Sequence, residues 1–324
     1  MIGSKPIKSR RKLYVLLLLV LLIVGVILYG LADRYLIEHI EVVVDDGNSR
    51  SDSSVTSNND TNSKENNGTS HAEYDDWSYN SDSLQIKINQ VESGSESDKI
   101  TYYVADVQLK SGTHIQSAFA DNSFGRNIIE NTSEIAYDNN AIFAINGDYY
   151  GFRDDGVIIR NGTLYRDEPV RTGLALLHDG TIKSYEENET DSATLLANGV
   201  LNTLSFGPVL IKDGELMSNF DHVKIDTNFG NRSIQNANPR TGIGMIAPNH
   251  YVFIVVDGRK QGYSRGMTLT EFAQVFADLG CTEAYNLDGG GSSTMYFMGR
   301  VVNNPLGKNR ERGVSDILYV KEGK

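Results

Sequence analysis

The sequence contains almost no cysteine and lacks the motifs of several common enzyme classes. Cys281 is the one cysteine among 324 residues, which excludes an intramolecular disulfide and a zinc site built from several cysteines. The six histidines are scattered without the spacing of metal ligands. A Gly-x-Ser-x-Gly elbow, a Walker loop and a dinucleotide-binding fingerprint are also absent. Serine-hydrolase, nucleotide-dependent and histidine-zinc chemistries are therefore poorly supported.

The sequence also lacks an excess of positive charge. Lysine and arginine total 30 against 42 aspartate and glutamate residues, which gives a net charge of −12. Five of the basic residues precede the one long apolar run, so the remainder is more acidic still. An acidic surface repels polyphosphate backbones. We therefore predict no nucleic-acid partner, and an anionic substrate would have to meet a local cluster of arginines.

One apolar run is long enough to cross a membrane. Twenty consecutive residues from Leu13 to Ala32 are uncharged and mostly aliphatic. Positive charges before this run and Asp33 after it place the N-terminus in the cytoplasm. The alternative is a signal peptide cleaved after Ala32, for which the run is unusually long. We predict a single-pass cell-membrane protein with an extracytoplasmic folded domain.

Composition divides the chain into four segments. Residues 1–12 form a basic cytoplasmic segment, and residues 13–32 form the transmembrane signal anchor. Residues 33–83 are predicted to be an extracytoplasmic stalk and disordered polar linker, because most of them are Ser, Asn, Asp or Thr and cannot bury enough apolar surface. Within this segment, residues 37–44 could form a short strand or continue the stalk. Residues 84–324 are predicted to form one catalytic domain.

Apolar and polar residues alternate from Leu84 onward, as is typical of β-strands. Hairpin turns are predicted at Asn161-Gly162, Asp179-Gly180 and Asp213-Gly214, since these turns need positive φ at low cost. A first helix is predicted over Ile128–Tyr137. The middle of the domain is therefore expected to be largely antiparallel sheet.

A second, clearer helix is predicted over Thr268–Leu279. Thr268 and Glu271 form a capping box at its start, and Gly280 ends it. Aliphatic strands precede and follow this helix, which makes a β-α-β unit. The sequence thus predicts an α+β fold: a mixed, largely antiparallel β-sheet with flanking helices and a C-terminal β-α-β unit, preceded by a single transmembrane helix.

Three predicted strands end in a carboxylate beside glycine, and these ends are the candidate catalytic site. They run into Asn146-Gly147-Asp148, Asp257-Gly258-Arg259 and Asp288-Gly289-Gly290-Gly291-Ser292-Ser293. Asp257 and Asp288 follow the two strands of the β-α-β unit, so both should lie at one edge of the sheet, where ligands gather. Asn-Gly-Asp and Asp-Gly are also ordinary turn sequences that need no function.

The triple glycine and nearby arginines indicate a site for phosphate. Three successive glycines exceed what a hairpin requires, and they expose backbone N–H groups that can surround an oxyanion. Arg240, Arg259 and Arg312 lie beside turn signals and carry guanidinium groups that bind phosphate at two points. Each arginine taken singly could equally be a solvated or loop-pinning residue.

Several stretches together resemble the phosphodiester glycosidase family, one animal member of which removes N-acetylglucosamine from a mannose phosphodiester. The resemblance covers nearly all of Leu84 to Val320, and its most specific part is Asn286-Leu-Asp-Gly-Gly-Gly-Ser-Ser293. It also includes Ala144-Ile-Asn-Gly-Asp-Tyr-Tyr150, Asn238-Pro-Arg-Thr-Gly-Ile-Gly244, Val256-Asp-Gly-Arg259 and Glu311-Arg-Gly-Val-Ser315. The family usually has a phenylalanine pair after Asn-Gly, where this chain has Asp148 followed by Tyr149-Tyr150.

The resemblance implies an extracytoplasmic hydrolase that cleaves between a sugar anomeric carbon and phosphate in a cell-surface glycan, as in exopolysaccharide or cell-wall polymers. On this hypothesis Asp288 stabilises the sugar cation or activates water, with Asp257 or Asp148 as its partner. Asn146 would orient a sugar hydroxyl. The phosphate would be bound by the following set: Arg240, Arg259, Gly289, Gly290, Gly291, Ser292, Ser293 and Arg312.

Two alternatives remain at this level. A metal-dependent phosphodiesterase would use the same carboxylates as ligands and attack phosphorus. A non-catalytic polysaccharide-binding or assembly protein would depend on aromatic surfaces such as Tyr149, Tyr150 and Tyr263. The predicted glycosidase needs no cofactor, although Asp148, Asp257 and Asp288 could hold Ca²⁺ or Mg²⁺ through oxygen ligands. The metal content is left unknown.

Overall fold

The computed structural model describes residues 7–44, 72–110, 113–225 and 233–323. Most of the polar linker predicted for residues 33–83 lies outside these ranges, as does the start of the basic segment.

The described chain begins with one long apolar helix, α1, which spans Ile7–Tyr35. Its apolar part, Lys12–Arg34, has 23 residues and is not buried against the rest of the protein. At about 1.5 Å per residue this part is roughly 34 Å long, and a bilayer core is roughly 30 Å thick. Within the described ranges it is the one helix long and apolar enough to cross a membrane, a property that signal sequences share.

The rest of the described chain consists mainly of short strands. Three further helices are α2 (Thr132–Asp138), α3 (Ser192–Ala197) and α4 (Leu269–Asp278). The strands are β1 (His39–Val43), β2 (Glu73–Tyr74), β3 (Ser78–Asn80), β4 (Leu84–Ser93), β5 (Ile100–Leu109), β6 (Gln116–Phe119), β7 (Ser123–Arg126), β8 (Phe143–Asn146), β9 (Gly156–Arg160), β10 (Thr163–Glu168), β11 (Thr172–Leu177), β12 (Ile182–Glu186), β13 (Val200–Leu204), β14 (Val209–Lys212), β15 (Glu215–Leu216), β16 (Arg240–Ala247), β17 (His250–Val256), β18 (Glu283–Asn286), β19 (Met295–Phe297), β20 (Arg300–Val301) and β21 (Asp316–Val320).

Two sheets form the centre of the fold. The larger has nine strands in the order β15-β14-β18-β16-β17-β5-β4-β3-β2, and the smaller has five in the order β20-β19-β8-β21-β6. A three-stranded sheet, β12-β11-β13, and the pairs β9–β10 and β1–β7 complete the set in the described ranges. Neighbouring strands in the two large sheets pair antiparallel.

The two large sheets pack face to face through alternating apolar residues. Phe143 and Ile145 of β8 join a buried cluster with Phe253 and Val255 of β17, while the intervening Ala144 faces the other side. This period of two places one face of each strand in the shared core. Helix α4 covers the outer face of the nine-stranded sheet, and helix α2 covers the outer face of the five-stranded sheet. The domain is thus a helix-sheet-sheet-helix stack.

The predicted fold class is confirmed. Strand β17, helix α4 and strand β18 follow one another as the predicted β-α-β unit, and the two strands run in the same direction. They are not adjacent, because β16 lies between them and is antiparallel to both. The start of β16 therefore lies at the same sheet edge as the ends of β17 and β18.

Local predictions agree with the structure where the signal is strong. The three predicted hairpins occur at Gly162, Gly180 and Gly214, each with positive φ. Helix α2 begins at Thr132 rather than Ile128, because Asn131 and Glu134 form its capping box. The sheet starts before Leu84, since β2 and β3 lie in the segment for which the sequence predicts a linker.

Helix α4 is stabilised at its start by a reciprocal cap, which gives a first prediction. The Glu271 backbone N–H donates to Thr268 Oγ1 at 3.2 Å, and the Thr268 N–H donates to Glu271 Oε2 at 2.8 Å. Thr268→Ala leaves the Glu271 N–H without this acceptor and should lower the free energy of unfolding by about 1 kcal/mol. Denaturant unfolding measures the change. Thr270→Ala, at an exposed position of the same first turn, is the control and should not destabilise.

Candidate active site

A cavity of about 460 Å³ opens at the edge of the nine-stranded sheet. The register explains why its walls meet there: Arg240, the first residue of β16, pairs with Val256 at the end of β17. Two residues later, Gly242 pairs with Asn286 at the end of β18. The cavity is lined by Tyr149, Phe206, Val223, Lys224, Ile225, Ser233, Ile234, Asn238, Pro239, Arg240, Arg259, Asn286, Leu287, Asp288, Gly289, Gly290 and Arg312.

Asp288 is the one carboxylate among the described residues that line this cavity. Its side chain is 12% exposed, and its Oδ2 lies 3.2 Å from Arg312 Nη2. Burial raises the pKa of Asp288 above the usual range of aspartate, and the positive charge of Arg312 partly opposes this shift. A buried carboxylate with a raised pKa facing a cavity is a candidate general base or nucleophile.

Asn146, which the sequence predicts to orient a sugar, lies behind Asp288 instead of lining the cavity. Its Nδ2 donates to the backbone oxygen of Asp288 at 2.8 Å. Its Oδ1 accepts from Thr241 Oγ1 at 2.8 Å and from the Thr294 N–H at 3.2 Å. One fully buried amide thus joins strand β8, strand β16 and the loop after β18. Asn146 fixes the position of Asp288 and is a positioning residue.

The triple glycine has a steric role. Gly290 has φ +68°, and its N–H donates to the oxygen of Pro239 at 3.0 Å. A Cβ at Gly289 would lie 2.7 Å from that same oxygen, and one at Gly290 would lie 3.0 Å from Arg259 Nη2. Gly291 lies against the Arg312 side chain. The glycines therefore allow the loop to approach Pro239 and two arginines, while the Gly290 N–H, predicted to bind phosphate, is already paired with protein.

Arg240 and Arg259 bring two like charges to one wall of the cavity. Arg240 is 3% exposed and donates to the backbone oxygens of Met267, Ile234 and Asn236 at 2.6–3.0 Å. Burial, and next the charge of Arg259, lowers the pKa of Arg240 to about 10. Arg240 is still protonated at neutral pH, and carbonyl oxygens do not neutralise its charge. An anion bound beside the two guanidinium groups would relieve their repulsion.

Arg312 packs against the glycine loop at Gly291. Its Nη2 donates to Ser292 Oγ at 2.5 Å as well as to Asp288. Ser293, the last residue of the predicted phosphate loop, is buried and its backbone oxygen accepts from Asn303 Nδ2 at 3.0 Å. Neither serine lines the cavity. Ser292 therefore orients Arg312, and Ser293 anchors the loop.

Asp257 reaches the predicted edge but does not line the cavity. Its Oδ2 accepts from Tyr263 Oη at 2.7 Å and from the Asn304 N–H at 2.9 Å. Its Oδ1 accepts from Asn303 Nδ2 at 2.8 Å. Burial raises the pKa of Asp257, and these hydrogen bonds partly oppose the shift. The sequence offers Asp257 as one possible partner of Asp288. In the structure these hydrogen bonds engage both of its oxygens, and Asp257 joins two loops instead.

Asp148 belongs to a buried ionic cluster behind the cavity. Its oxygens accept from the N–H groups of Tyr149 and Ser205, both at 2.6 Å, and lie 3.4 Å from Arg153 and 3.9 Å from Arg160. Arg160 also lies 2.8 Å from Asp316, whose pKa is raised to about 6 by burial although Arg160 opposes the rise. Asp148 therefore holds the loop after β8 in place and does not face the cavity.

Arg153 is a candidate site residue that is not among those predicted from the sequence. Its guanidinium carbon lies 5.3 Å from the centre of the Tyr149 ring and 5.5 Å from that of Phe206, and both rings line the cavity. Its Nε and Nη1 are buried and have no hydrogen-bond partner in the described part of the chain. The positive charge of Arg153 also lowers the pKa of Asp288. The sequence signal is the run Tyr149-Tyr-Gly-Phe-Arg153, an arginine directly after aromatic residues.

The predicted carboxylates do not form a shared metal site. Across residues 7–44, 72–110, 113–225 and 233–323, no group of three or more His, Cys, Asp or Glu side chains has suitable geometry. Asp148 and Asp257 accept hydrogen bonds from separate protein donors, and Asp288 faces the cavity beside Arg312.

Comparison with known proteins supports the resemblance seen in the sequence. The chain is 30% identical over 244 residues to the SPbeta prophage-derived uncharacterized protein YomE of Bacillus subtilis (strain 168), which covers 68% of this chain. The match spans 36% of that protein, so this chain corresponds to about a third of its relative.

One solved structure shares the fold, and a second is a weaker match. The catalytic domain of zebrafish N-acetylglucosamine-1-phosphodiester alpha-N-acetylglucosaminidase, auto-inhibited by its pro-peptide, superposes with a TM-score of 0.58 at 22% identity. This superposition covers 75% of the present chain and 85% of the zebrafish one. A hypothetical protein from Synechocystis has a TM-score of 0.46 at 16% identity, over 74% of this chain and 62% of its own. The sequence profile of phosphodiester glycosidases matches residues 139–321. The chain therefore belongs to the phosphodiester glycosidase family.

Proposed function

We propose that this protein hydrolyses the bond between a sugar anomeric carbon and phosphate in a sugar-1-phosphodiester of a cell-surface glycan. The observation that carries the proposal is the composition of the cavity: Asp288, the one carboxylate on its described walls, lies among the arginines Arg240, Arg259 and Arg312. Membership of the family and the fold shared with the zebrafish glycosidase support the same type of reaction.

The arginines suit the phosphate of such a substrate. A phosphodiester carries one negative charge, and a guanidinium group can contact two of its oxygens. Arg240 and Arg259 offer this charge on one wall, and Arg312 offers it beside Asp288. Arg153 contacts the aromatic rings, and its Nε and Nη1 have no hydrogen-bond partner among the described residues. Positive charge held in advance stabilises the phosphate as it departs.

A single carboxylate is enough for this reaction. Ordinary glycosidases use two carboxyl groups because an alcohol leaving group has to be protonated. A phosphate monoester leaves readily as an anion, so neutralisation by arginine replaces much of the work of a general acid. Asp288 would stabilise the oxocarbenium-like sugar or activate the attacking water. Tyr149 and Phe206 would contact the sugar ring.

The N-terminal helix supports a location at the cell membrane. We propose that α1 is a signal anchor that crosses the cell membrane once, because basic residues precede it and the folded domain follows it. The domain would then face an extracytoplasmic glycan. The reaction as proposed requires no cofactor, and a bound Ca²⁺ or Mg²⁺ would favour the alternative, in which a metal-dependent phosphodiesterase attacks phosphorus.

Isotope labelling distinguishes these reactions. The full chain is incubated in ¹⁸O-water with the methyl diester of N-acetylglucosamine 1-phosphate, and the released methyl phosphate is analysed by mass spectrometry. Cleavage at the anomeric carbon gives methyl phosphate without label, whereas attack on phosphorus introduces ¹⁸O into a phosphate product. Loss of activity with EDTA together with labelled phosphate would establish the phosphodiesterase instead. No hydrolysis at all would leave a binding protein as the better description.

The assay also assigns the reaction to Asp288. Asp288→Asn keeps the shape of the side chain but removes its charge, and should lower kcat/KM about 10²- to 10⁴-fold. Asp213→Asn removes the same charge at an exposed turn and should have no effect. Equal activity of the Asp288→Asn variant and the unmodified chain would rule out the proposed role.

The pH dependence tests the contact between Asp288 and Arg312. Asp288 acts when ionised, so kcat/KM should fall as pH drops through its raised pKa. Arg312 lowers this pKa, so Arg312→Gln should raise it further and move the acid limb of the profile to higher pH. Arg310→Gln, at an exposed neighbouring position, is the control and should leave the limb in place. An acid limb unmoved by Arg312→Gln would show that another group controls it.

A further inference from the structure

The short strand after the membrane helix is docked on the catalytic domain. Helix α1 ends at Tyr35 and β1 begins at His39, so three residues separate them. Strand β1 pairs antiparallel with β7, and the register places Ile40 opposite Gly125 and Val43 opposite Ser123. This strand lies in the segment for which the sequence left a strand and a stalk open.

Contacts on both sides of β1 support the pairing. Asn127 is buried with φ +61°, and its Nδ2 donates to the backbone oxygens of Asp33 at 3.1 Å and Ile37 at 2.7 Å. At the other end, the Val44 N–H donates to the Asn122 oxygen at 2.8 Å. Val44 also packs against the aromatic cluster that contains Phe119, Phe124 and Tyr150. Both ends of the strand are therefore held.

Gly125 shows that the sequence accommodates this docking. A Cβ at position 125 would lie 1.9 Å from the backbone oxygen of His39 and 3.1 Å from the Glu41 nitrogen. The φ of Gly125 lies outside the left-handed region, so the backbone itself does not demand glycine. A larger residue at position 125 would prevent the close approach of β1.

A second cavity lies between the end of the helix and the residues behind the active site. It has a volume of about 510 Å³, and its lining includes Arg34, the last residue of the apolar span, together with Arg153 and Ile225. Ile225 also lines the active-site cavity. Arg153 also contacts the rings of Tyr149 and Phe206, which line the active-site cavity. The end of the helix and the active site therefore lie on neighbouring parts of the domain.

We propose that β1 is a clamp that fixes the catalytic domain at the bilayer surface, and that the substrate is a sugar phosphodiester attached to a lipid of the same membrane. The inference rests on the proposed function and on α1 as a membrane anchor. Three extended residues span at most about 11 Å. The headgroup layer on each side is about 5–8 Å thick. Strand β1 therefore holds the domain against the outer edge of this layer, and the phosphate of a lipid-linked sugar lies within the layer.

Release of the clamp would change the geometry greatly. Without the β1–β7 pairing, the domain would be attached only through the segment for which the sequence predicts a flexible linker. Its active site would then spend most of its time at other heights and orientations. A soluble substrate would not sense the difference, whereas a substrate confined to the bilayer would.

A disulfide measures the docking in the full chain. Val43→Cys combined with Ser123→Cys places two thiols on directly opposed residues, within the usual reach of a disulfide. The natural Cys281 is buried, so it should not compete. His39→Cys with Ser123→Cys is the out-of-register control. In vesicles, the first pair should crosslink on mild oxidation and the second should not; equal crosslinking, or none in the first pair, would overturn the clamp.

The functional experiment compares two probes with the full chain in phospholipid vesicles. One probe is the soluble methyl diester of N-acetylglucosamine 1-phosphate, and the other is a dialkylglycerol diester of the same sugar phosphate in the bilayer. Gly125→Val blocks the approach of β1, and Ile40→Pro disrupts the same ladder from the other strand. Both variants should hydrolyse the lipid probe at least about tenfold more slowly and the soluble probe within about twofold of the unmodified rate.

The matched control is Ile40→Ala, which removes the exposed side chain but keeps the backbone donor, and should behave as the unmodified chain. Equal rates on the lipid probe before and after disruption would overturn the inference. So would hydrolysis of the soluble probe alone by the unmodified chain. If neither probe is hydrolysed, the proposed function itself fails, while the crosslinking result still reports whether β1 docks.

Discussion

The direction of one strand determines the active site. Strand β16 runs antiparallel to both β17 and β18, so its first residue, Arg240, lies at the edge where those strands end. A buried arginine and the Asp288 carboxylate thereby meet across one cavity, although 48 positions separate them in the chain. The surrounding sheets, the α4 helix and the buried amide of Asn146 all serve to keep this edge rigid.

Charge is distributed unequally between the site and its support. Behind the cavity, Asp148 and Asp316 are matched by Arg153 and Arg160, and Asp257 is surrounded by hydrogen-bond donors. In front, Arg240 donates to backbone oxygens and Arg259 to Asn238 Oδ1, and both line the cavity. Buried charges are costly unless paired, so the supporting groups stabilise the fold only as complete sets. The described cavity walls carry three arginines and one lysine against the single carboxylate of Asp288, so their net charge is positive.

Local sequence signals predicted much of the fold. The capping box of α4 and the glycine turns depend on neighbours a few residues apart, so they are legible in sequence. The shared edge of β17 and β18 was also accessible, because a β-α-β unit fixes the relative direction of its strands. Strand β1 was left open, since five residues carry too little periodicity and its partner β7 lies far along the chain.

Local sequence signals could not predict the roles of the individual carboxylates. Asp148, Asp257 and Asp288 all follow strands and all lie beside glycine, yet they differ in their remote partners. Asp148 meets Arg160, and Asp257 meets Asn303, in contacts that only the tertiary structure reveals. Arg153 was missed for the same reason, because its position depends on Phe206, which is distant in sequence.

The glycine at position 125 has a meaning beyond this chain. Its backbone has no special conformation, so its small size matters only while a second strand lies against it. In another member of the family, a bulky residue at the corresponding position would be incompatible with a docked N-terminal strand. A bulky residue there therefore marks a member whose domain is not held to its anchor by such a strand.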